Sequence, residues 1–269
     1  MRIILSAFLV VALACSARAA LVEQEVDYSD GTTTMKGFLV WDDATEGLRP
    51  GVLVVHEWWG HNEYARRRAR ELAREGYIAM AVDMYGEGRT AEHPKDAGAF
   101  AGEVMGNMAQ AAARFRAARV FLETQTQTDP ARLAAIGYCF GGGMVLHMAR
   151  IGEDLAVVAS FHGSLRTVSS ARPGEVRARV LVYHGGADVL VPPEDVVAFE
   201  QEMTKAGVNY KFVTYPDAPH SFTSPEADDK AVKFELPLGY DAEADRASWA
   251  DLLEELSRRF QPQPAPADR

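Results

Sequence analysis

The feature that most narrows the fold is a series of short, uninterrupted apolar runs, each ending in a turn rich in glycine or polar residues. VLVV at 52–55, IAMAV at 78–82, LAAI at 133–136, LAVVASF at 155–161 and VLVY at 180–183 lack the alternation of a strand with one wet face. Runs of this kind are buried on both sides, as in a parallel sheet covered by helices. Helical patterns fall between them: 62–75 is rich in charged helix formers, and 191–207 has prolines near its start and Gly207 at its end. Residues 242–260 put Trp249, Leu252, Leu253, Leu256 and Phe260 on one face. Residues 97–124 read as one long Ala-rich helix carrying Phe100, Val104, Met108, Phe115 and Phe121. At the front, 22–28 and 33–41 flank a turn at Ser29, Asp30 and Gly31, and 210–215 supplies a last strand. The expected class is therefore α/β: a mainly parallel central sheet with helices on both faces and an N-terminal antiparallel hairpin.

The 269 residues suffice for one large domain, expected over 20–262 because no composition break or linker divides the chain, with a disordered tail over 263–269. Ahead of it, Arg2, an apolar run from Ile3 to Ala14 and the AxA arrangement Ala17, Arg18, Ala19 match a secretory signal peptide over 1–19. The run is too short to span a bilayer comfortably, so no stable membrane span is expected after its removal. Lipoprotein processing at Cys15 would need better residues than Ala12 and Leu13, which favours cleavage near Ala19 and a periplasmic location. Cleavage removes Arg2 and Arg18 and no acid, moving the formal charge from −10 to −12 and arguing against nucleic acid or anionic lipid as partners. It also removes Cys15, leaving Cys139 as the lone thiol of an exported chain. Such a thiol is an intermolecular bridge, an inert buried side chain or a reactive group.

The stretch around Cys139 bears on that choice. Gly137 and Gly141 flank it at the spacing of a nucleophile elbow, a sharp strand-to-helix turn that lifts the reactive atom off the sheet edge. A small apolar cysteine packed at a strand end is the plainer alternative. A thiol nucleophile needs a base, and the base needs a carboxylate to fix its tautomer. The α/β-hydrolase order of nucleophile, acid and histidine is met by Cys139, Asp188 in HGGADVLVP and His220 in PDAPHSF, each after an expected strand. Alone, Asp188 reads as a turn cap and His220 as an exposed loop histidine; together the three are specific. The start of the following helix favours a thiolate at Cys139 and offers the Phe140 N–H to an oxyanion, with the Trp58 N–H as the second donor. HEWWGH misses the HExxH zinc spacing, because Gly60 stands where the second histidine belongs. No metal or other cofactor is expected.

HEWWG at 56–60, DMYG at 83–86, GYCFGG at 137–142, FHG at 161–163, HGGAD at 184–188 and PHSF at 219–222 together resemble the dienelactone hydrolase family over nearly the whole mature chain. The resemblance implies the α/β-hydrolase fold and a catalytic triad of Cys139, Asp188 and His220. It further implies that Glu57 competes for the thiol proton until substrate binds. The chain departs from that family where two arginines hold the carboxylate of dienelactone: Gly86 and Glu87 stand beside the first position, and Thr223 and Ser224 at the second. Arg89 is the candidate substitute. Trp59, Tyr85, Tyr138, His162 and Phe222, with Trp58 and Phe140, are expected to line an apolar, aromatic substrate pocket. The expectation is an exported carboxylic ester or lactone hydrolase acting on a small molecule other than dienelactone, as a monomer or weak homo-oligomer. The alternative is a non-hydrolytic thiol redox or ligand-binding protein that keeps the fold.

Overall fold

A computed structural model describes residues 20–260; the expected leader and tail lie outside the described residues. The chain opens with the expected hairpin, β1 (Leu21–Ser29) and β2 (Thr34–Asp42), antiparallel with Val26 opposite Gly37. Its turn is fixed by Asp30 Oδ1, which accepts the N–H groups of Thr32 and Thr33 at 2.8 Å each. Six further strands follow: β3 (Arg49–Val55), β4 (Ile78–Val82), β5 (Thr128–Tyr138), β6 (Val157–Phe161), β7 (Arg179–Gly185) and β8 (Tyr210–Tyr215). They form one sheet in the order β1-β2-β4-β3-β5-β6-β7-β8, parallel from β4 to β8, with the hairpin joined antiparallel at one edge.

The apolar runs are buried on both faces because successive side chains alternate across the sheet. Val52, Val54, Ala79, Ala81, Ala134 and Ile136 share one core with α1 (Glu63–Arg74) and α7 (Ala242–Phe260). Leu53, Val55, Met80, Val82 and Ala135 point the other way, into a core shared with α3 (Met108–Glu123), α4 (Phe140–Arg150) and α5 (Pro193–Lys205).

The long helix expected over 97–124 is two. Helix α2 (Pro94–Met105) closes at Gly106, and Asn107 caps α3 by accepting the Gln110 N–H at 3.2 Å. An asparagine side chain that competes for backbone N–H groups starts a helix more readily than it continues one. A short helix, α6 (Ala227–Phe234), also interrupts the stretch after His220. No helix of the described residues is long and apolar enough to cross a membrane. His56, Asp83, Cys139, His162 and Asp188 all lie at or just beyond the C-terminal ends of parallel strands, where an open α/β sheet places its sites.

Candidate active site

The last residues of β5 run into α4 through one residue, Cys139, at φ 51° and ψ −112°. That region is costly for any residue with a Cβ and persists only where the surroundings enforce it. Here the enforcement comes from close backbone approach. A Cβ on Gly137 would collide with the Gly141 carbonyl, and one on Gly141 with the carbonyls of Val55 and His56 at the end of β3. The Gly141 N–H donates to the His56 carbonyl at 3.1 Å and the Cys139 N–H to the Phe161 carbonyl at 3.0 Å, locking the elbow between β3 and β6. Cys139 is partly buried and free of any disulfide. Phe140 opens α4, so its N–H is one of that helix's unpaired donors.

The loops after β7 and β8 bring the other two groups to it. Gly185 permits this: a Cβ there would run into the Ala218 carbonyl and lie 2.8 Å from that of Pro219. Asp188 Oδ1 accepts the Leu190 N–H at 2.8 Å, and Oδ2 lies 2.7 Å from His220 Nδ1. Nδ1 therefore carries the proton and donates. His220 Nε2 is buried with no hydrogen-bond partner among the described residues, and Cys139 lies near enough for its charge to act on the ring. Burial opposes a charged imidazole here, but the Cys139 thiolate, the Asp188 hydrogen bond and the Asp188 charge outweigh it and hold His220 up at about 10.

Glu57 is buried just after β3. Its Oε1 accepts from Ser221 Oγ at 3.0 Å, so the carboxyl grips the residue after His220 rather than Cys139. Ser221 stands at φ 63°, a strained position that this bond supports. Burial raises the Glu57 carboxyl above the usual range against the opposing pull of Lys230, Ser221 and His220. Around Trp58, the Gly60 N–H bonds the Glu57 carbonyl and Tyr85 Oη donates to the Trp58 carbonyl at 2.9 Å. These turn bonds use neither the Trp58 nor the Phe140 N–H.

Above Cys139 opens a cleft of about 610 Å³. Trp58, Phe140, Cys139 and His220 reach it. The other aromatic residues expected in it do not line it. Tyr85, Tyr138 and Phe222 are fully buried, with Tyr138 stacked on Phe161 and edge-on to Tyr64. His162 lies behind the site: its Nε2 bonds Thr223 Oγ1 at 2.7 Å, and its ring packs edge-on to His220 with centroids 5.3 Å apart. Burial, then His220 and Arg68, push His162 well below the ordinary range, so it is neutral. Trp59 faces a separate cleft with Lys230 above its ring. Arg89 is committed to Glu103 and the Tyr85 carbonyl, and Thr223 and Ser224 are buried. The residues that do wall the cleft include Met105, Met108, Met144, His147, Val168 and Leu190. One signal for them was in the sequence: Phe140, Gly143, Met144 and His147 follow the i, i+3, i+4, i+7 spacing of one helical face starting at the elbow.

Comparison with known proteins gives this arrangement its context. The dienelactone hydrolase family model matches residues 35–260. The solved structure of m3DLH is 37% identical, with a TM-score of 0.84 over 90% of this chain and 100% of its own. A dienelactone hydrolase-like promiscuous phosphotriesterase from metagenomic libraries is 34% identical, with a TM-score of 0.82 over 90% and 100%. A Synechocystis sp. protein with the provisional name carboxymethylenebutenolidase is 29% identical over 223 residues, 76% of this chain and 83% of its own.

Proposed function

The chain belongs to the dienelactone hydrolase family and is a hydrolase of esters or lactones; on that premise we propose that it works through an acyl thioester on Cys139. The observation that carries this reading is that the elbow cysteine at φ 51° lines one cleft with His220, whose Nε2 has no hydrogen-bond partner among the described residues while Asp188 holds Nδ1 at 2.7 Å. His220, held up at about 10, already carries the thiol proton in the neutral range, and the Cys139 thiolate attacks the carbonyl carbon. A C–S bond forms, and the carbonyl electron pair moves to oxygen, where the Phe140 and Trp58 N–H groups receive it. As the intermediate collapses, the C–O bond to the alcohol breaks and His220 hands the leaving oxygen its proton. Water then enters. His220 removes its proton, the hydroxide adds to the thioester carbonyl, and the thiolate departs, leaving the carboxylic acid. Asp188 keeps the ring in one tautomer and stabilises its cation throughout.

Glu57 serves the resting enzyme as a competing proton holder, a buried acid one hydrogen bond from the residue next to His220. Dienelactone itself does not suit the site, because Arg89 is paired with Glu103 and the second arginine position holds buried Thr223 and Ser224. We also propose that residues 1–19 direct export and are removed, with Cys139 remaining as the lone thiol.

A panel of activated esters and lactones, run beside Cys139→Ala, tests the proposal. The expected result is hydrolysis by the parent, loss of roughly 10³-fold or more in the variant, and an acyl adduct on Cys139 by mass spectrometry. Wild-type turnover in Cys139→Ala would sink the mechanism. Only sulfenic acid or mixed disulfide on Cys139, with no ester cleaved, would favour a redox thiol protein instead.

A further inference from the structure

Helix α4 runs from the elbow along the cleft, and both its first residue, Phe140, and its eighth, His147, line that space. Eight residues separate Cys139 from His147, about 12 Å of helix at 1.5 Å per residue. Between them the walls are apolar and adaptable: Met144 from α4, Met105 from α2, Met108 from α3, and Val168 and Leu190 from the loops opposite. Thioether side chains conform to irregular or varied apolar guests. The apolar lining also continues to the surface. Met105 is 48% exposed, Leu190 52% and Val168 71%, so large apolar side chains stand open around the cleft.

The charges point the same way. The one arginine in the lining, Arg166, is 71% exposed and already paired with Asp195 at 2.7 Å. His147 is nine-tenths buried, and burial followed by Arg150 and Arg116 lowers its proton affinity, leaving it neutral. Its Nδ1 has no partner among the described residues. A carboxylate drawn into this cleft would lose its hydration, and the other cation in the lining, His220, is already held between Cys139 and Asp188. A neutral hydroxyl, ether or carbonyl could pair with a ring nitrogen of His147 that the cleft exposes, as acceptor or donor according to the tautomer.

Resting on the ester hydrolase assignment above, we propose that the substrates are uncharged esters whose acyl or alcohol part is an extended apolar chain. It lies along α4 among Met105, Met108 and Met144, with any neutral polar group at its far end met by His147. A chain spanning about 12 Å has about ten bonds, which sets the length that fills the cleft.

Two series on the full protein test this. One is p-nitrophenyl esters from acetate to decanoate, the other alkyl acetates from ethyl to decyl. In at least one, kcat/KM is expected to rise by up to about fourfold per added methylene before levelling, and p-nitrophenyl hemisuccinate is expected to fall at least tenfold below its uncharged counterpart, p-nitrophenyl valerate. Met144→Trp, which fills the cleft midway, is expected to lower the octanoate-to-acetate ratio about tenfold. His147→Phe is expected to lose the parent's preference for 8-hydroxyoctanoate over octanoate, and His147→Gln to keep it. Flat dependence on length in both series, or preference for the hemisuccinate, overturns the proposal while leaving the hydrolase assignment intact. Failure to cleave any ester, acetate included, overturns the assignment itself.

Discussion

His220 sits between Cys139 on one ring nitrogen and Asp188 on the other, and both contacts favour the imidazolium. A histidine held up at about 10 keeps its proton throughout the neutral range, so ester turnover that needs this proton for the leaving alcohol is expected to decline only as pH rises toward 10. Asp188→Asn removes one of the raising groups. The alkaline limb of kcat/KM is then expected to move to lower pH, with activity at neutral pH reduced by roughly 10²- to 10⁴-fold; a limb that stays in place would show that Asp188 does not set it. Glu57 offers a second test, because its buried carboxyl is raised enough to hold a proton beyond the usual carboxylate range. Glu57→Gln keeps an oxygen for Ser221 Oγ and deletes the titration, so the pH profile of Cys139 alkylation by iodoacetamide is expected to lose the inflection that this carboxyl contributes. An unchanged profile would remove Glu57 from the proton balance. The triad candidates were legible in sequence because each carries its chemistry on its face and all follow a fixed chain order. Ser221 was not: its contact with Glu57 spans 164 residues, and its backbone strain exists only in the fold.

At the scale of elements, the elbow depends on how closely α4 approaches the end of β3. Gly141→Ala forces a methyl group into the Val55 and His56 carbonyls. The backbone there cannot yield without moving Cys139, so the substitution is expected to cost about 3 kcal/mol in denaturant unfolding and to abolish measurable esterase activity. A variant of wild-type stability and activity would mean that the elbow is looser than the geometry requires. The division between α2 and α3 is worth less: Asn107→Ala deletes a cap and is expected to destabilise by about 1 kcal/mol. The break was hidden because apolar residues on both sides, Phe100 and Val104 before it and Met108 and Phe115 after it, keep a near-continuous helical period across Gly106 and Asn107. The cleft lining was hidden for a related reason. Aromatic side chains near the motifs read as pocket, but Tyr85, Tyr138 and Phe222 sit on inward positions of the elements that carry the motifs. Of the methionines in the wall, Met144 follows the elbow on α4, whereas Met105 and Met108 come from α2 and α3, which only packing beside α4 brings to the cleft.

For the molecule as a whole, the alternation of apolar runs and helical segments fixed which faces are buried, and the sheet follows that pattern from β3 to β8. The ends of the chain pose a separate question, one of processing. β1 begins at Leu21, and its ladder with β2 starts with Leu21 opposite Asp42. Cleavage after Ala19 would therefore leave every pair of that ladder intact. Cleavage before Cys15 would instead put that residue at the mature N-terminus with its sulfur tied up in a lipid thioether, close in sequence to an edge strand. Expression of the full chain in a host with a Sec pathway separates these outcomes by intact mass and thiol count. The expected product is a periplasmic chain beginning at Ala20, with one thiol titratable after unfolding and a formal charge of −12. A membrane-associated product with a lipid-bearing Cys15, or a cytoplasmic chain that retains Met1, would reject the leader assignment. Either result would also change what Cys139 must withstand. An exported lone thiol meets oxidants without a resolving partner, and its thiolate pairing with His220 raises that susceptibility, so in the expected periplasmic product the partly buried setting of Cys139 is the protective feature.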